Sequence, residues 1–180
     1  MKKLFAFLLL SYPCFSQQNF TTTQIDSIAN GTGEWYTSDI IIQVHEDNKH
    51  IGKGGASLEY CSYIYNESEG QNLSTDQEKK INTRRNSLLI KGTYQQSIHY
   101  KDDRGSELIF IELYYSDNKL FFVKAKTETI VNGESKVNYH ELKVNDNVIP
   151  NTSGNYIANL VEEKNKEIIK LYNENHVNTK

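Results

Sequence analysis

The fold is decided between Leu88 and Val144, where the sequence runs LLIKGTYQQSIHYKDDRGSELIFIELYYSDNKLFFVKAKTETIVNGESKVNYHELKV. At its start, apolar side chains recur at even positions (88, 90, 94, 98 and 100), and the odd positions between them are mostly polar. Alternation with a period of two is typical of a β-strand with one buried face. We therefore predict a strand over residues 88–100.

Three more strands are predicted within the same stretch, over residues 108–115, 120–126 and 137–144. Short polar turns separate the four strands, at residues 102–105, at residues 116–119 and at Asn132-Gly133. An Asn-Gly pair favours the positive φ angles of a type I′ hairpin turn. Connections this short join antiparallel neighbours, because parallel strands need long crossovers. The pattern predicts an antiparallel meander.

Two further strands are predicted upstream, at the β-branched run Ile40–Val44 and at the tyrosine-rich run Leu58–Tyr65. Before them, residues 17–31 have the features of a short helix, for which Thr22 or Thr23 offers an N-cap.

Residues 66–87 form the most polar stretch, and overlapping capping-box patterns there leave open a short helix over 75–82 or a loop. At the C-terminus, apolar residues fall on one face at helical spacing: Ile157, Leu160, Val161, Ile168, Leu171 and Tyr172. A sheet with one apolar face needs a cover, and this amphipathic helix offers one. The predicted class is therefore α+β: a short N-terminal helix, a curved antiparallel sheet of about six strands, and a C-terminal helix packed on it.

The first sixteen residues have the pattern of a secretory signal peptide. A basic start, Met1-Lys2-Lys3, precedes a seven-residue apolar run that is far shorter than the ~20 residues of a membrane span. Cleavage after Ser16 would leave one domain, residues 17–180, in a secreted or periplasmic location. A lipid anchor on Cys14 is the weaker alternative, because the preceding Tyr12-Pro13 is bulky where such sites need small residues.

Composition and motifs exclude several functional classes. The formal net charge is -3, so the basic excess of a nucleic-acid binder is missing. No segment after the leader reaches membrane-spanning length. The sequence has no H-E-x-x-H, C-x-x-C, G-x-S-x-G or EF-hand pattern, and we predict no cofactor. Cleavage would leave Cys61 as the single cysteine, which favours a bacterial secretory origin over a disulfide-rich eukaryotic one.

One group of metal-ligand side chains stands out, namely His45, Glu46, Asp47 and His50. It lies where a strand passes into a turn, so a solvated hairpin explains it and we predict no metal site.

Glu112 is the strongest candidate for acid–base chemistry, because it lies between Phe110 and Tyr114 on its face of an apolar strand. Desolvation there would raise the pKa of its carboxyl group, as a general acid requires. His140 and His99 are the candidate partners. The structural alternatives are an ion pair of Glu112 with Lys91 or Lys124, or a position at the wet rim of the sheet.

The tyrosines offer a different kind of site. Several of the 12 tyrosines fall in predicted strands, where ordinary packing explains most of them. A curved sheet can also line a cup in which aromatic rings stack on a ligand. On that hypothesis the ligand-binding residues are Tyr94, Tyr100, Tyr114 and Tyr139.

The leading functional hypothesis is an exported, non-enzymatic module that binds an unidentified small molecule or envelope protein through its tyrosine-rich sheet. A small acid–base enzyme, a hydrolase or isomerase using Glu112 with His140 or His99, is the first alternative. The second is an envelope structural or assembly protein whose edge strand, Ile40–Val44 or Val137–Val144, pairs with a partner.

Overall fold

A computed structural model of the chain describes residues 20–46, 49–64, 87–101, 104–144 and 156–176. Three of the sequence-based predictions lie outside these residues: the leader with Cys14, the candidate helix over 75–82, and the position of Asp47.

The described residues form two helices and six strands. The helices are α1 (Thr22–Gly31) and α2 (Tyr156–His176). The strands, in chain order, are β1 (Glu34–Glu46), β2 (Lys49–Ile64), β3 (Ser87–Tyr100), β4 (Ser106–Ser116), β5 (Lys119–Val131) and β6 (Glu134–Lys143).

The strands form one open, curved sheet in the order β1-β2-β3-β4-β5-β6, and every neighbouring pair is antiparallel. The predicted α+β class and the antiparallel meander are therefore confirmed. The predicted turns have the expected backbone, since Asn132 and Gly133 both have positive φ, as do Asp117 and Asn118. These angles match the twist of the adjoining strands, and so the chain reverses within two residues.

The first two strands are longer than predicted: β1 because residues 34–39 also pair with β2, and β2 because backbone pairing continues through the glycines before residue 56. Gly54 pairs with Ile98, and a Cβ atom at Gly54 would collide with the carbonyl oxygen of Ser97. Only glycine allows the two backbones to approach this closely. The segment that contains Gly52, Gly54 and Gly55 is therefore part of β2.

Helix α1 begins one residue earlier than predicted and covers one end of the sheet. Its N-cap is Thr21, which forms a capping box with Gln24. Its buried Ile25 and Ala29 pack in a small core with Cys61, Ile90 and Tyr114. We call the side of the sheet that carries this helix the α1 face.

Helix α2 packs on the opposite side, which we call the α2 face, and builds the larger core. Its Val161 and Ile168 are fully buried against strand residues such as Leu113 and Val123. Ile168 lies directly over Gly92, where any side chain on the strand would displace it. The prediction of a covering C-terminal helix is confirmed. The two helices thus lie on opposite faces of one sheet.

Candidate functional site

The predicted acid–base pair is not brought together by the fold. Glu112 is on the α1 face, level with Thr93 and Lys124. His140 is opposite Ala125, whose side chain belongs to the α2 core, and so it lies on the other side of the sheet. His99 shares the face of Glu112 but pairs with Ser106, six residues along β4, a separation of about 20 Å.

Glu112 instead belongs to an ionic cluster beneath α1. Lys91 Nζ lies 2.6 Å from Asp26 Oδ1 and 2.7 Å from Glu112 Oε1, bridging the helix to the sheet. Tyr114 donates a 3.3 Å hydrogen bond to Asp26 Oδ2 and accepts one of 3.3 Å from Lys124. The ion pair of Glu112 with Lys91, one of the structural alternatives drawn from the sequence, is therefore present.

We call the part of the α1 face beneath α1 the covered end. Its titratable groups are held in unreactive forms. Burial would by itself lower the pKa of Lys91, but its hydrogen bonds to Asp26 and Glu112 outweigh that effect and raise it, so the side chain is a cation. Burial, helped by the two neighbouring carboxylates, raises the pKa of Tyr114 far above its ordinary value. Burial also raises the pKa of the Cys61 thiol to about 12. None of these three groups is poised as a nucleophile or base at neutral pH.

A second buried polar group lies at the C-terminal end of α2, and the sequence patterns did not indicate it. His176 Nδ1 lies 3.0 Å from Ser87 Oγ, among the rings of Tyr36, Tyr60 and Tyr172. Tyr36 and Tyr60 stack at 4.8 Å, and burial raises the pKa of Tyr60 to about 12. Ser87 and His176 are 5% and 6% exposed, so a substrate cannot reach the hydroxyl in this arrangement.

The four tyrosines predicted to bind a ligand do not line one cavity. Tyr94 and Tyr100 lie on the α2 face, where Tyr94 is buried below Lys164 and Tyr100 donates a hydrogen bond to Glu107. Tyr114 is buried in the ionic cluster on the other face, and of the four only Tyr139 is largely exposed, at 76%.

Beyond α1, the same face carries an exposed mixed surface that we call the open patch: Gln95, Leu108, Phe110, Lys126, Glu128 and Tyr139. Register places Phe110 opposite Lys126, and Lys126 opposite Tyr139, so one cation lies between two aromatic side chains. Phe110 is 38% exposed. It borders an open cleft of about 290 Å³, together with Gln95, Leu108, Lys126 and Glu128. Every strand that forms the patch belongs to the continuous sheet, so its backbone is held rigidly.

The charges of the open patch are paired with each other. Lys126 Nζ lies 3.2 Å from Glu128 Oε2, and Ser135 donates a 2.7 Å hydrogen bond to Glu128 Oε1. The bond from Ser135, followed by that from Lys126, lowers the pKa of Glu128 below its ordinary value. The carboxylate is therefore ionised and oriented at neutral pH, and the pair adds no net charge.

Phe110 was not among the residues singled out in the sequence, although a signal for it exists. It lies on the Glu112 face of residues 108–115, whose opposite face is entirely apolar, and a large apolar side chain on the less apolar face needs an explanation. Tyr139 was selected as one of many strand tyrosines, although its polar neighbours Asn138 and His140 distinguish it from Tyr114, which stands in an apolar run.

The histidine-rich turn forms a cross-strand pair. His45 is opposite His50, with ring centroids 5.4 Å apart, and Glu46 forms a 3.3 Å ion pair with Arg104. Within the residues that the structure describes, no three His, Cys, Asp or Glu side chains are grouped to hold a metal ion.

Neither α1 nor α2 combines the length and the apolar character that crossing a membrane requires. Comparisons of this chain with protein-family models, with curated proteins and with solved structures found no match.

Proposed function

We propose that the protein is an exported, non-enzymatic module that binds its ligand or partner at the open patch. The observation that carries the proposal is the pair of exposed aromatic side chains, Phe110 and Tyr139, on either side of Lys126 on one sheet face. Aromatic rings supply large contact areas at a small cost in conformational entropy, which is why binding surfaces are enriched in them.

The placement of these rings on strands supports the proposal. Side chains on a hydrogen-bonded sheet are presented with less positional freedom than side chains on loops, and preorganisation lowers the entropic cost of binding. Leu108 and Gln95 at the cleft give the patch an apolar floor and an amide that both donates and accepts hydrogen bonds.

The contacts of Glu112, the strongest catalytic candidate, support the proposal that the protein is not an enzyme. Glu112 is engaged by Lys91, lies about 20 Å along the sheet from His99, and is separated from His140 by the sheet itself. The Glu112 carboxylate already accepts a hydrogen bond from the Lys91 ammonium group, so it is engaged in a structural contact that ties it to the sheet.

The binding proposal can be tested by NMR with ¹⁵N-labelled protein and three probe classes: neutral oligosaccharides, short peptides and fatty acids. We expect one class to shift resonances of β4, β5 and β6 around Phe110 and Tyr139, and Phe110→Ala to remove the shifts. Tyr156→Ala, which removes an exposed aromatic on α2, is the matched control. Probes that bind only elsewhere would refute the proposal.

Export is proposed from the N-terminal pattern alone and needs its own test. When the full chain is expressed in a bacterial host, we expect an extracytoplasmic product whose mass corresponds to a start at Gln17. A product acylated at Cys14 would establish the lipid-anchored alternative, and an uncleaved cytosolic chain would refute export.

The edge strand β1 supports a second candidate function, the pairing of this strand with a partner. β1 and β6 are the two outer strands of the sheet, as the assembly hypothesis required, and Ile41 on β1 is 86% exposed. An outer strand offers unpaired backbone groups for strand addition. In the same NMR experiment, this function would appear as protection of β1 amides by a peptide probe and would not depend on Phe110.

A further inference from the structure

We infer that the open patch binds a neutral oligosaccharide, an inference that rests on the proposed function and names its ligand class. Three features of the patch lead to this class: the spacing of its two rings, the variety of its hydrogen-bonding groups, and its balanced charge.

The two aromatic rings suit a ligand built of consecutive ring units. Phe110 and Tyr139 project from strands separated by one intervening strand, which places them about 10 Å apart. A pyranose ring has one face lined with polarised C–H groups, and these are attracted to the electron-rich face of an aromatic ring. A single sugar could cover only one of the two rings, so their separation favours an extended oligosaccharide.

The polar groups between and beside the rings match a ligand rich in hydroxyls. Each hydroxyl both donates and accepts, so its binding site needs both kinds of group. Gln95 provides an amide, Lys126 a donor and Glu128 an acceptor, all three at the same cleft. Ser135 and Lys126 already orient the Glu128 carboxylate, which reduces the ordering that a ligand would have to impose.

The charge balance argues against the competing ligand classes. Because Lys126 and Glu128 neutralise each other, the patch exerts no net attraction on an anionic polymer or a cationic peptide. A fatty acyl chain would cover this ion pair and Gln95 without replacing their water, which is costly. A neutral sugar chain avoids both penalties, because its hydroxyls replace the displaced water.

The test uses defined neutral tetrasaccharides as probes: β-1,4-linked glucose, β-1,4-linked N-acetylglucosamine, and α-1,4-linked glucose. Isothermal titration calorimetry should detect binding of at least one of them to the intact protein. Phe110→Ala and Tyr139→Ala should each weaken that binding about tenfold or more, as expected for the loss of one stacking contact. Tyr156→Ala should leave the affinity unchanged, and far-UV circular dichroism should confirm that all variants are folded.

The outcomes separate this inference from the function on which it rests. If none of the oligosaccharides binds at millimolar concentration, while a peptide or fatty acid shifts the patch in a Phe110-dependent manner, the oligosaccharide class is wrong and the binding function stands. If an oligosaccharide binds but neither aromatic substitution weakens it, the patch is not its site and both proposals fail.

Discussion

The α1 face contains two regions with the same kind of ion pair in opposite surroundings. At the covered end, Lys91 is held between Asp26 and Glu112, and its side chain is only 10% exposed. In the open patch, Lys126 pairs with Glu128 and its side chain is 42% exposed. Both lysines lie on the same sheet and face, so the difference between them is the helix that covers one and not the other.

The charges of the covered cluster stabilise the fold, whereas those of the open patch are proposed to take part in binding. The covered cluster ties α1 to the sheet, and each of its members already has a partner. The open pair remains accessible to a ligand, flanked by aromatic rings. On the proposed function, a search for the site among the buried and partly buried titratable groups, which would choose Tyr114 and Glu112, is directed to the other half of this face.

The largest expected effect comes from removing the central cation of the covered cluster. Lys91→Met would leave the partly buried carboxylates of Asp26 and Glu112 facing each other, and the remaining cation, Lys124, lies 4.0 Å from Asp26 Oδ2. We expect the free energy of unfolding to fall by about 2–3 kcal/mol, below the full cost of a broken buried pair because both carboxylates are partly exposed. Chemical denaturation followed by circular dichroism measures this change.

Lys126→Met is the matched control in the open patch, and it should lower stability by no more than about 0.5 kcal/mol, as is typical of a surface pair. Adding Asp26→Asn and Glu112→Gln to Lys91→Met should restore part of the loss, because the repulsion between the two carboxylates is then removed. Equal effects of the two lysine substitutions would mean that α1 does not protect its cluster from solvent.

The order of helices and strands was predictable because its signals are local. Period-two alternation, the Asn132-Gly133 turn and the apolar stripe of α2 each depend on residues close in sequence. The placement of α1 was not predictable in this way, since its few apolar residues do not specify which face they meet.

Two irregularities in strand pairing help to determine which face of the sheet α1 packs on. The register shifts opposite Cys61/Ser62 and Tyr114/Tyr115 leave Ile90 and Phe121 as extra residues in β3 and β5. A bulge turns an additional side chain toward one face, and both of these residues join the core under α1. Register shifts depend on both partner strands, so the extra apolar surface that receives α1 is not visible in one strand's pattern.

The candidate site was predictable only in part for the same reason. Glu112 and Lys91 could be paired from the sequence because strand neighbours follow from the meander. The exposed state of Tyr139 agrees with its polar neighbours Asn138 and His140, whereas the buried state of Tyr114 depends on a distant helix that covers it.

The smallest expected effect is on the pH dependence of stability. The open patch loses a stabilising contribution at acidic pH, and the covered end loses one at alkaline pH. In the open patch, the lowered pKa of Glu128 makes a stabilising contribution that is present above pH 4.5 and is lost as the pH falls. At the covered end, burial raises the pKa of Cys61 from 9.0 to about 12, so folding favours the protonated thiol. That contribution is complete below pH 9 and is lost as the pH rises toward 12.

We therefore expect Cys61 alone to lower the free energy of unfolding by about 1 kcal/mol between pH 9 and pH 10, the window in which the unfolded thiol ionises and the buried one does not. Cys61→Ala removes the titrating group and should flatten the slope in this window, whatever its effect on absolute stability. Denaturation curves of both proteins at the two pH values give the comparison. An unchanged slope in Cys61→Ala would mean that the thiol ionises in the folded protein, and hence that α1 opens readily enough to expose it. The covered end would then be as accessible as the open patch, and the contrast between the two regions would have to be abandoned.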